Sequence, residues 1–260
     1  MRMVLIWVVV ITAAYFIFVE IVRLRYEVPI LMYHRVDYPD RESPGLYVTP
    51  QTFEKQMQFL KAHNYRVLPL KEVVRMIKNK ERVPLNTVVI TFDDGYLDNF
   101  TNAFPVLKKL EFPATIFMIS NNIGKDGWLA EEDLRILDEA GIAIESHTAN
   151  HAFLPEISDD EQVEELVRSK QRLEEVLGRP VTLFSYPAGG CTLDLAAKVE
   201  SAGYEGAVTT NYSKKRHDPY RLHRVKVGES RGNLFNFWAK TTGLYQLGKR
   251  RVEAKGYEAD

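Results

Sequence analysis

A strand-like run that ends on two acidic residues constrains this chain more than any other feature. The apolar residues 88–90 lead through Thr91 and Phe92 into Asp93-Asp94-Gly95. Continuous apolar runs are typical of strands that are covered on both faces. Such strands rarely end on two unpaired acids, because crowding like charges away from water is costly. The run therefore predicts a functional site at the end of a buried strand.

A second motif supplies basic partners for these acids. Another apolar strand, residues 142–144, is followed by His147 and His151. The i, i+4 spacing predicts that both imidazoles lie on one side of a helical turn. Two histidines and one carboxylate suffice to bind a divalent metal with open positions, and the second carboxylate remains available as a base. Either motif alone is commonly a turn or a pair of surface histidines, but together, each at a strand end, they favour a metal-dependent hydrolytic site.

The composition excludes some classes of function. The 260 residues suffice for one large α/β domain or two small ones. A net charge of −1 and a pI of about 6.6 indicate no broad basic surface of the kind that binds nucleic acid. The single cysteine, Cys191, cannot form an internal disulfide, and we expect it to be a small buried residue without a catalytic role.

The N-terminus differs in kind from the rest of the chain. Residues 3–19 carry no charged side chain and are mostly bulky and apolar. A helix of this length approaches the thickness of a hydrocarbon core, so we predict one transmembrane helix within residues 1–25. A cleaved signal peptide is the alternative, but no convincing small-residue cleavage site is present. The flanking charges, Arg2 on one side and Arg23 and Arg25 on the other, do not decide the orientation.

Strand and helix patterns alternate along the rest of the chain. Strands are predicted at residues 29–34, 88–92, 114–118, 142–145, 181–186, 206–209 and 222–227. Helices are predicted to begin at Pro50 and to span 103–110, 129–140, 159–177 and 193–202. Thr49 and Ser158 are the expected N-caps of two of them, and glycines at 141, 178 and 203 mark the ends of others.

This alternation implies a parallel sheet, either open or closed into a barrel. The positions of the polar residues favour a barrel, because its strands end on one face and can bring distant residues together around one metal. The residues at or just past such strand ends are His34, Asp93, Asp94, His147 and Pro187.

At these motifs the chain resembles the polysaccharide deacetylases of the NodB-homology type, carbohydrate esterase family 4. The resemblance covers roughly residues 29–227, and the T-F-D-D-G and H-[ST]-x-x-H motifs are complete. It implies a distorted (β/α)7 barrel that removes N-acetyl groups from amino sugars with a divalent metal, in the first place zinc, with cobalt or nickel as alternatives. It also implies that Asp93 is the catalytic base and that the metal ligands are Asp94, His147 and His151.

The third family motif, usually R-x-P-[FY]-G, reads S-Y-P-A-G at residues 185–189. The arginine that orients the base in the family is therefore absent, and Arg224 or Arg35 is the candidate to replace it. The aromatic residue after the proline is also absent, although the backbone N–H of Ala188 can still serve as an oxyanion donor. The expected substrate and oxyanion residues are Tyr186, Pro187, Ala188 and Arg224.

A histidine is the expected general acid, because the departing amine must be protonated. The segments L-M-Y-H-R-V at 31–36 and L-H-R-V at 222–225 resemble the branch of the family that acts on poly-N-acetylglucosamine. In that branch an early histidine can be the acid, so the resemblance favours His34 and places His223 second. The alternative for either is an ordinary hydrogen-bonded histidine of the barrel.

The expected function is metal-dependent deacetylation of a cell-surface polymer of acetylated amino sugars, either a poly-N-acetylglucosamine-like exopolysaccharide or peptidoglycan. A metal-dependent amidase for small non-sugar amides and a non-catalytic glycan-binding barrel are the alternatives. The expected organisation is a membrane anchor at residues 1–25, the barrel at 26–242 and a tail at 243–260. Because surface polymers lie outside the cytoplasm, we expect a single-pass protein of the cell membrane with an extracytoplasmic barrel.

Overall fold

Eight parallel strands form the centre of this computed structural model, which describes residues 6–7, 10–17, 20, 26–39, 44–211, 217–229 and 233–245. Their order in the sheet is β1-β8-β7-β6-β5-β4-β3-β2. The strands are β1 (Ile30–Tyr33), β2 (Arg66–Val67), β3 (Thr87–Asp94), β4 (Ala114–Met118), β5 (Ile142–Ser146), β6 (Leu183–Ser185), β7 (Gly206–Thr209) and β8 (Leu222–Lys226).

The sheet closes into a barrel because β1 pairs on both sides. Ile30 lies opposite Arg224 of β8 and opposite Val89 of β3. The short strand β2 lies outside this ring and pairs with the first two residues of β3. Without β2, seven of the eight strands form the closed ring, which confirms the predicted (β/α)7 architecture.

Helices connect the strands and cover the barrel. Within the described residues from 26 onwards they are α1 (Pro50–Ala62), α2 (Leu70–Lys78), α3 (Phe104–Leu110), α4 (Glu131–Glu139), α5 (Asp159–Leu177), α6 (Leu193–Ser201) and α7 (Leu234–Thr241). The predicted N-cap at Thr49 and the capping box at Ser158 are both present. The glycines that follow α4, α5 and α6 have positive φ, as expected for helix ends. Helices α2 and α7 were not predicted.

Helix α2 closes the end of the barrel at which the strands begin. Leu70, Val73 and Val74 are buried there in one apolar cluster with inward-facing strand residues such as Ile30. A Cβ at Gly206 would lie 2.8 Å from a methyl carbon of Val74. A larger residue at the start of β7 would therefore displace the helix.

A second apolar layer lies between the strands and the outer helices. In β3, Ile90 and Phe92 face this layer, while Val89 and Asp93 alternate with them and face the barrel interior. All eight residues of β3 are buried, as the continuous apolar run predicted. Cys191 is buried in the same layer, and burial raises the pKa of its thiol to about 12, in agreement with a structural role.

The predicted transmembrane helix lies partly outside the described residues. Residues 6–7, 10–17 and 20 are helical. Within the part of the chain that the structure describes, no helix combines the length and the apolar character needed to cross a membrane. Most of the predicted C-terminal tail, residues 246–260, also lies outside the described part.

Candidate active site

A cleft of about 790 Å³ opens at the carboxyl ends of the barrel strands. It brings together residues that are far apart in the sequence, as expected for this face of a barrel. The predicted site residues in its wall are His34, Asp93, Asp94, His147, His151, Tyr186, Ala188, His223 and Arg224.

The Asp-Asp-Gly turn presents both carboxylates to this cleft at the end of β3. Gly95 has a φ of 88° and Asp94 a φ of 74°, in the left-handed region that favours glycine. A Cβ at Gly95 would lie 2.0 Å from the sulfur of Met118 on β4, so only glycine fits there. Asp94 is held in a strained conformation of the kind that concentrates at functional sites.

Asp93 is held by a buried, bidentate ion pair. The two terminal nitrogens of Arg224 each lie 2.5 Å from one carboxylate oxygen of Asp93. Arg224 also donates a hydrogen bond to the hydroxyl of Ser185 at 2.8 Å. Of the two arginines considered as replacements for the missing motif arginine, Arg224 therefore makes the contact. Arg35 pairs instead with Asp98 at 2.8 Å.

The two neighbouring carboxyl groups differ in charge state because their surroundings differ. Burial alone would raise the pKa of Asp93, but Arg224, followed by His147, holds that pKa well below its usual range. For Asp94, burial and then the charge of Asp93 outweigh the charge of Arg224 and a hydrogen bond from Tyr96, and raise the pKa to about 7. Asp93 is thus ionised at neutral pH, whereas burial and the charge of Asp93 disfavour the ionised form of Asp94.

A divalent cation beside Asp94 would stabilise its ionised form. Oδ1 of Asp94 lies 3.6 Å from Nε2 of His147 and 3.5 Å from Nε2 of His151. One ligand atom from each of the three residues lies within 4.8 Å of the others. Tetrahedral ligands bound at about 2.1 Å to zinc are themselves separated by about 3.4 Å. The donor set and its spacing therefore fit the metal centre that the family resemblance implies.

Hydrogen bonding and burial prepare the histidines as ligands. Nδ1 of His147 lies 2.8 Å from the carbonyl oxygen of Ser185, which can only accept, so Nδ1 carries the proton and the Nε2 lone pair is directed to Asp94. Burial lowers the pKa of His147 to about 3 and also lowers the pKa of His151. Both imidazoles are therefore neutral near pH 7, as metal binding requires.

The predicted helical turn between the two histidines was wrong. Residues 147–151 form an irregular loop after β5, in which Thr148 has a φ of 65° and His151 a φ of 59°. The two imidazole rings meet edge to face, with 4.9 Å between their centroids. A strained loop brings the histidines together because a barrel of this type presents its functional residues from the loops that follow the strands.

Glu165 supports this loop, and the sequence analysis did not find it. Its carboxylate accepts hydrogen bonds from the backbone nitrogens of Ala149 and Asn150, both at 2.9 Å, and from the side-chain amide of Asn150 at 2.5 Å. Glu165 lies on the buried stripe of α5 beside Leu166. An acidic residue on the apolar face of an amphipathic helix is the signal that would have pointed to it.

The two candidate acids face Asp93 differently. His34 lies just after β1, where burial lowers its pKa to about 4 and the charge of Asp93 partly opposes that shift. His223 lies on β8 immediately before Arg224. Successive residues of a strand point to opposite faces, so His223 leaves the strand on the other face from Arg224, although it also lines the cleft. The charge of His34 couples to that of Asp93.

Tyr186 lies at the cleft wall, but its ring does not face the cleft. The ring packs edge to face against Phe184 at 5.1 Å and is fully buried. Its hydroxyl donates to the carbonyl oxygen of Tyr220 at 3.1 Å. The expected contact of the Tyr186 ring with substrate is therefore corrected to a packing role, since the apolar layer outside the barrel takes up the ring.

The following turn is the part of the third motif that reaches the cleft. Pro187 is buried, whereas Ala188 is exposed at the cleft wall with a φ of 50°. A Cβ at Gly189 would lie 1.9 Å from the hydroxyl of Thr210, so the turn requires glycine. The backbone of Ala188 is thus available to a bound ligand, although the aromatic side chain usual at its position is absent.

Comparison with known proteins identifies the family. The family model described as polysaccharide deacetylase matches residues 80–207, a segment that contains both acids and both histidines of the site. A Bacillus subtilis protein provisionally named polysaccharide deacetylase YxkH is 37% identical over 203 residues, which are 77% of this chain and 71% of the relative. The poly-beta-1,6-N-acetyl-D-glucosamine N-deacetylase of Staphylococcus epidermidis is 30% identical over 225 residues, covering 76% of this chain and 78% of that protein.

Comparison with solved structures identifies the same family. The structure of the Streptococcus pyogenes deacetylase PplD in complex with acetate aligns with a TM-score of 0.74 and 28% identity, over 83% of this chain and 97% of that one. The metal-dependent chemistry of this family agrees with the ligand triad at the cleft floor. By sequence, by fold and by the residues of its cleft, this chain belongs to the polysaccharide deacetylase family.

Proposed function

We propose that this protein uses a divalent metal to remove N-acetyl groups from amino sugars of a cell-surface polysaccharide, either a poly-N-acetylglucosamine-like exopolysaccharide or peptidoglycan. The observation that carries the proposal is the buried Asp93–Arg224 pair beside the ligand triad of Asp94, His147 and His151. The name of the Staphylococcus epidermidis relative supports an N-acetylglucosamine polymer.

Asp93 is the proposed base. Arg224 keeps it ionised at neutral pH and orients it, while the carboxylate lone pairs that do not face the guanidinium remain free to accept a proton from the attacking water. The same ion pair makes Asp93 a weak base in the resting protein. Proton transfer to it must therefore accompany the attack rather than precede it.

A bound divalent metal would supply Lewis acidity to the reacting water and the amide carbonyl. Asp94, His147 and His151 would hold it, and Glu165 would keep their loop in the binding conformation. A set of two imidazoles and one carboxylate suits zinc best, and cobalt or nickel can replace it.

Ala188 is proposed to bind the carbonyl oxygen of the scissile amide, and His34 is proposed to protonate its nitrogen. The backbone N–H of Ala188 donates to the oxygen on which negative charge develops. His34 has a pKa of about 4 and is neutral in the resting protein. It must take up a proton from solvent as negative charge builds up beside it, and then pass that proton to the departing amine. His223 remains the second candidate for this role.

The test is acetate release by the purified protein loaded with zinc, cobalt or nickel. The substrates are N-acetylglucosamine oligomers, peptidoglycan and small non-sugar amides, and Asp93→Asn is the inactive control. We expect acetate from the glycans only, and only with metal present. Acetate from small amides alone would support the amidase, and glycan binding without acetate release would support a non-catalytic barrel.

The proposed location is the outer side of the cell membrane, with residues 1–25 as the anchor. The uncharged residues 3–19 support it, and the short distance from them to β1 would hold the barrel close to the bilayer. Protease added to intact cells should digest the barrel, and the undigested protein should stay with membranes after a high-salt wash. Digestion only after lysis would contradict the proposed orientation.

A further inference from the structure

One wall of the cleft is positively charged and takes no part in the proposed reaction. Lys226 is the last residue of β8, Lys240 lies on α7, and both line the cleft. Nζ of Lys240 donates to the carbonyl oxygen of Lys226 at 2.8 Å, so the two residues occupy the same side of the mouth. Neither ammonium pairs with a carboxylate within the described ranges of the chain.

Lys226 lies on the same strand face as Arg224, which contacts Asp93. Residues 224 and 226 lie on the same face of β8, and two residues of a strand span about 7 Å, so Lys226 lies that much nearer the mouth than Arg224. A Cβ at Gly45 would lie 3.8 Å from Nζ of Lys226. The ammonium therefore reaches across to the loop that carries Leu46, another residue of the cleft wall.

The described part of the cleft has no acidic residue at its mouth to balance these lysines. Its carboxylates are Asp93 and Asp94, which both lie at the floor. Arg224 neutralises the first, and the second belongs to the ligand triad. The described residues of the mouth therefore carry a net positive charge whether or not the metal site is filled.

We propose that Lys226 and Lys240 exclude a sugar with a free amine from the position next to the reacting N-acetyl group. The inference rests on the proposed function. Hydrolysis adds water across the amide C–N bond, releases acetate and leaves an amine on the sugar, which is protonated near neutral pH. A neighbouring ammonium would be repelled by two lysines that no carboxylate among the described cleft residues balances, whereas a neutral N-acetylated neighbour would not be repelled.

This exclusion has a consequence for the product. Two single charges about 8 Å apart at a partly solvated cleft mouth change affinity by about three- to tenfold at low salt. Each completed reaction therefore disfavours the next reaction on the adjacent sugar. The enzyme should distribute its deacetylations along the polymer rather than remove consecutive acetyl groups.

The test compares two N-acetylglucosamine pentamers as substrates of the full-length, zinc-loaded protein at low salt and at a pH of about 6.5, where a sugar amine is protonated. One pentamer is fully acetylated and the other has a free amine on its central sugar. Mass spectrometry of the products gives kcat/KM for each acetylated position. We expect positions next to the free amine to react about three- to tenfold more slowly than the same positions in the fully acetylated pentamer.

The lysine variants test whether Lys226 and Lys240 cause this difference, expressed as the ratio of kcat/KM for a position in the fully acetylated pentamer to kcat/KM for the same position next to a free amine. Lys226→Met, Lys240→Met and the double variant should bring the ratio towards one, whereas Lys226→Arg should keep it. Lys109→Met, which removes an exposed lysine on α3, is the matched control and should leave the ratio unchanged. High salt should narrow the ratio in the unmodified protein, because it screens the charges.

Two results would overturn the exclusion while leaving the proposed function in place. One is a ratio near one in the unmodified protein, and the other is an unchanged ratio in a double variant whose circular dichroism shows a native fold. If acetate is released equally fast next to a free amine and next to an acetylated sugar, the exclusion is rejected and the proposed function is retained. No acetate from any acetylated oligomer rejects the proposed function and the exclusion with it.

Discussion

The two ends of the barrel are built from the same strands but with opposite side-chain chemistry. At the end where the strands begin, α2 inserts Leu70 and Val74 into a dry apolar cluster with Val89. At the other end the interior holds acids, histidines and an arginine. Within β3 the change runs from Val89 through Thr91 to Asp93 along one face. Packing stabilises one end, and the other end is left polar for chemistry.

The backbone around the cleft is locally strained. Asp94, Thr148, His151 and Ala188 all have positive φ, and all lie in the cleft or in the loops that form it. The hydroxyl of Thr148 and Nε of Arg224 are buried here, and no described residue forms a hydrogen bond with either atom. Such strain persists only where the surrounding structure holds it in place. Substitutions at the two ends should therefore separate chemistry from stability.

The largest effect is expected from His147→Ala at the polar end. Loss of a direct ligand should weaken metal binding by more than about 100-fold, since even supporting residues account for 10- to 100-fold, and acetate release should cease. The barrel should stay folded because its apolar layers do not involve this residue. Metal content and thermal unfolding measure both. His63→Ala, an exposed histidine at the end of α1, is the control.

Metal content near one equivalent in His147→Ala would contradict the ligand assignment. Loss of metal together with loss of the fold would instead mean that the polar end also stabilises the barrel, and the division between the two ends would fail.

Asp93→Asn should lower turnover by about 10²- to 10⁴-fold, the usual contribution of a general base, while the metal is retained. The amide keeps the size of the side chain but cannot accept the proton. Because Arg224 then loses its charged partner, circular dichroism must accompany the kinetic measurement. A decrease of less than about tenfold in a folded variant would place the base elsewhere.

Leu70→Ala, at the apolar end of the barrel, should reduce stability and leave the metal site unaffected. Removing a fully buried leucine should lower the free energy of unfolding by about 2–5 kcal/mol, with no change in metal affinity. Urea unfolding and metal titration measure the two quantities. Lys71→Ala, on the exposed side of the same helix, should change neither. A large loss of metal affinity in Leu70→Ala would show that the two ends are coupled.

The smallest effect should come from Glu165→Gln, which sharpens the comparison within the polar end. The amide can accept fewer hydrogen bonds from the loop of residues 147–151, so metal affinity should fall by about 10- to 100-fold. The neighbouring Glu164 is exposed and pairs with Arg168, so Glu164→Gln is the control. Equal metal affinity in the two variants would remove Glu165 from the support of the metal centre.

Helices α2 and α7 show where local sequence patterns fail. Their segments carry neighbouring valines at 73–74 and several aromatic residues at 235–238. Such residues favour strands as well as helices, so short segments that contain them are ambiguous. The seven strands of the closed ring and the helices that follow the caps Thr49 and Ser158 were predicted because their signals, continuous apolar runs and capping residues, act over a few neighbouring residues.

The sequence by itself determined the alternating α/β pattern, the Asp-Asp-Gly turn and the ligand types of the site. Only the tertiary structure decided that Arg224 rather than Arg35 meets Asp93, that Glu165 supports the histidine loop, and that the Tyr186 ring belongs to the core. Asp93 and Arg224 are 131 positions apart, and their contact depends on barrel closure, which pairs β1 with both β3 and β8. Local patterns report interactions between near neighbours in the chain, whereas closure sets which distant side chains share the interior.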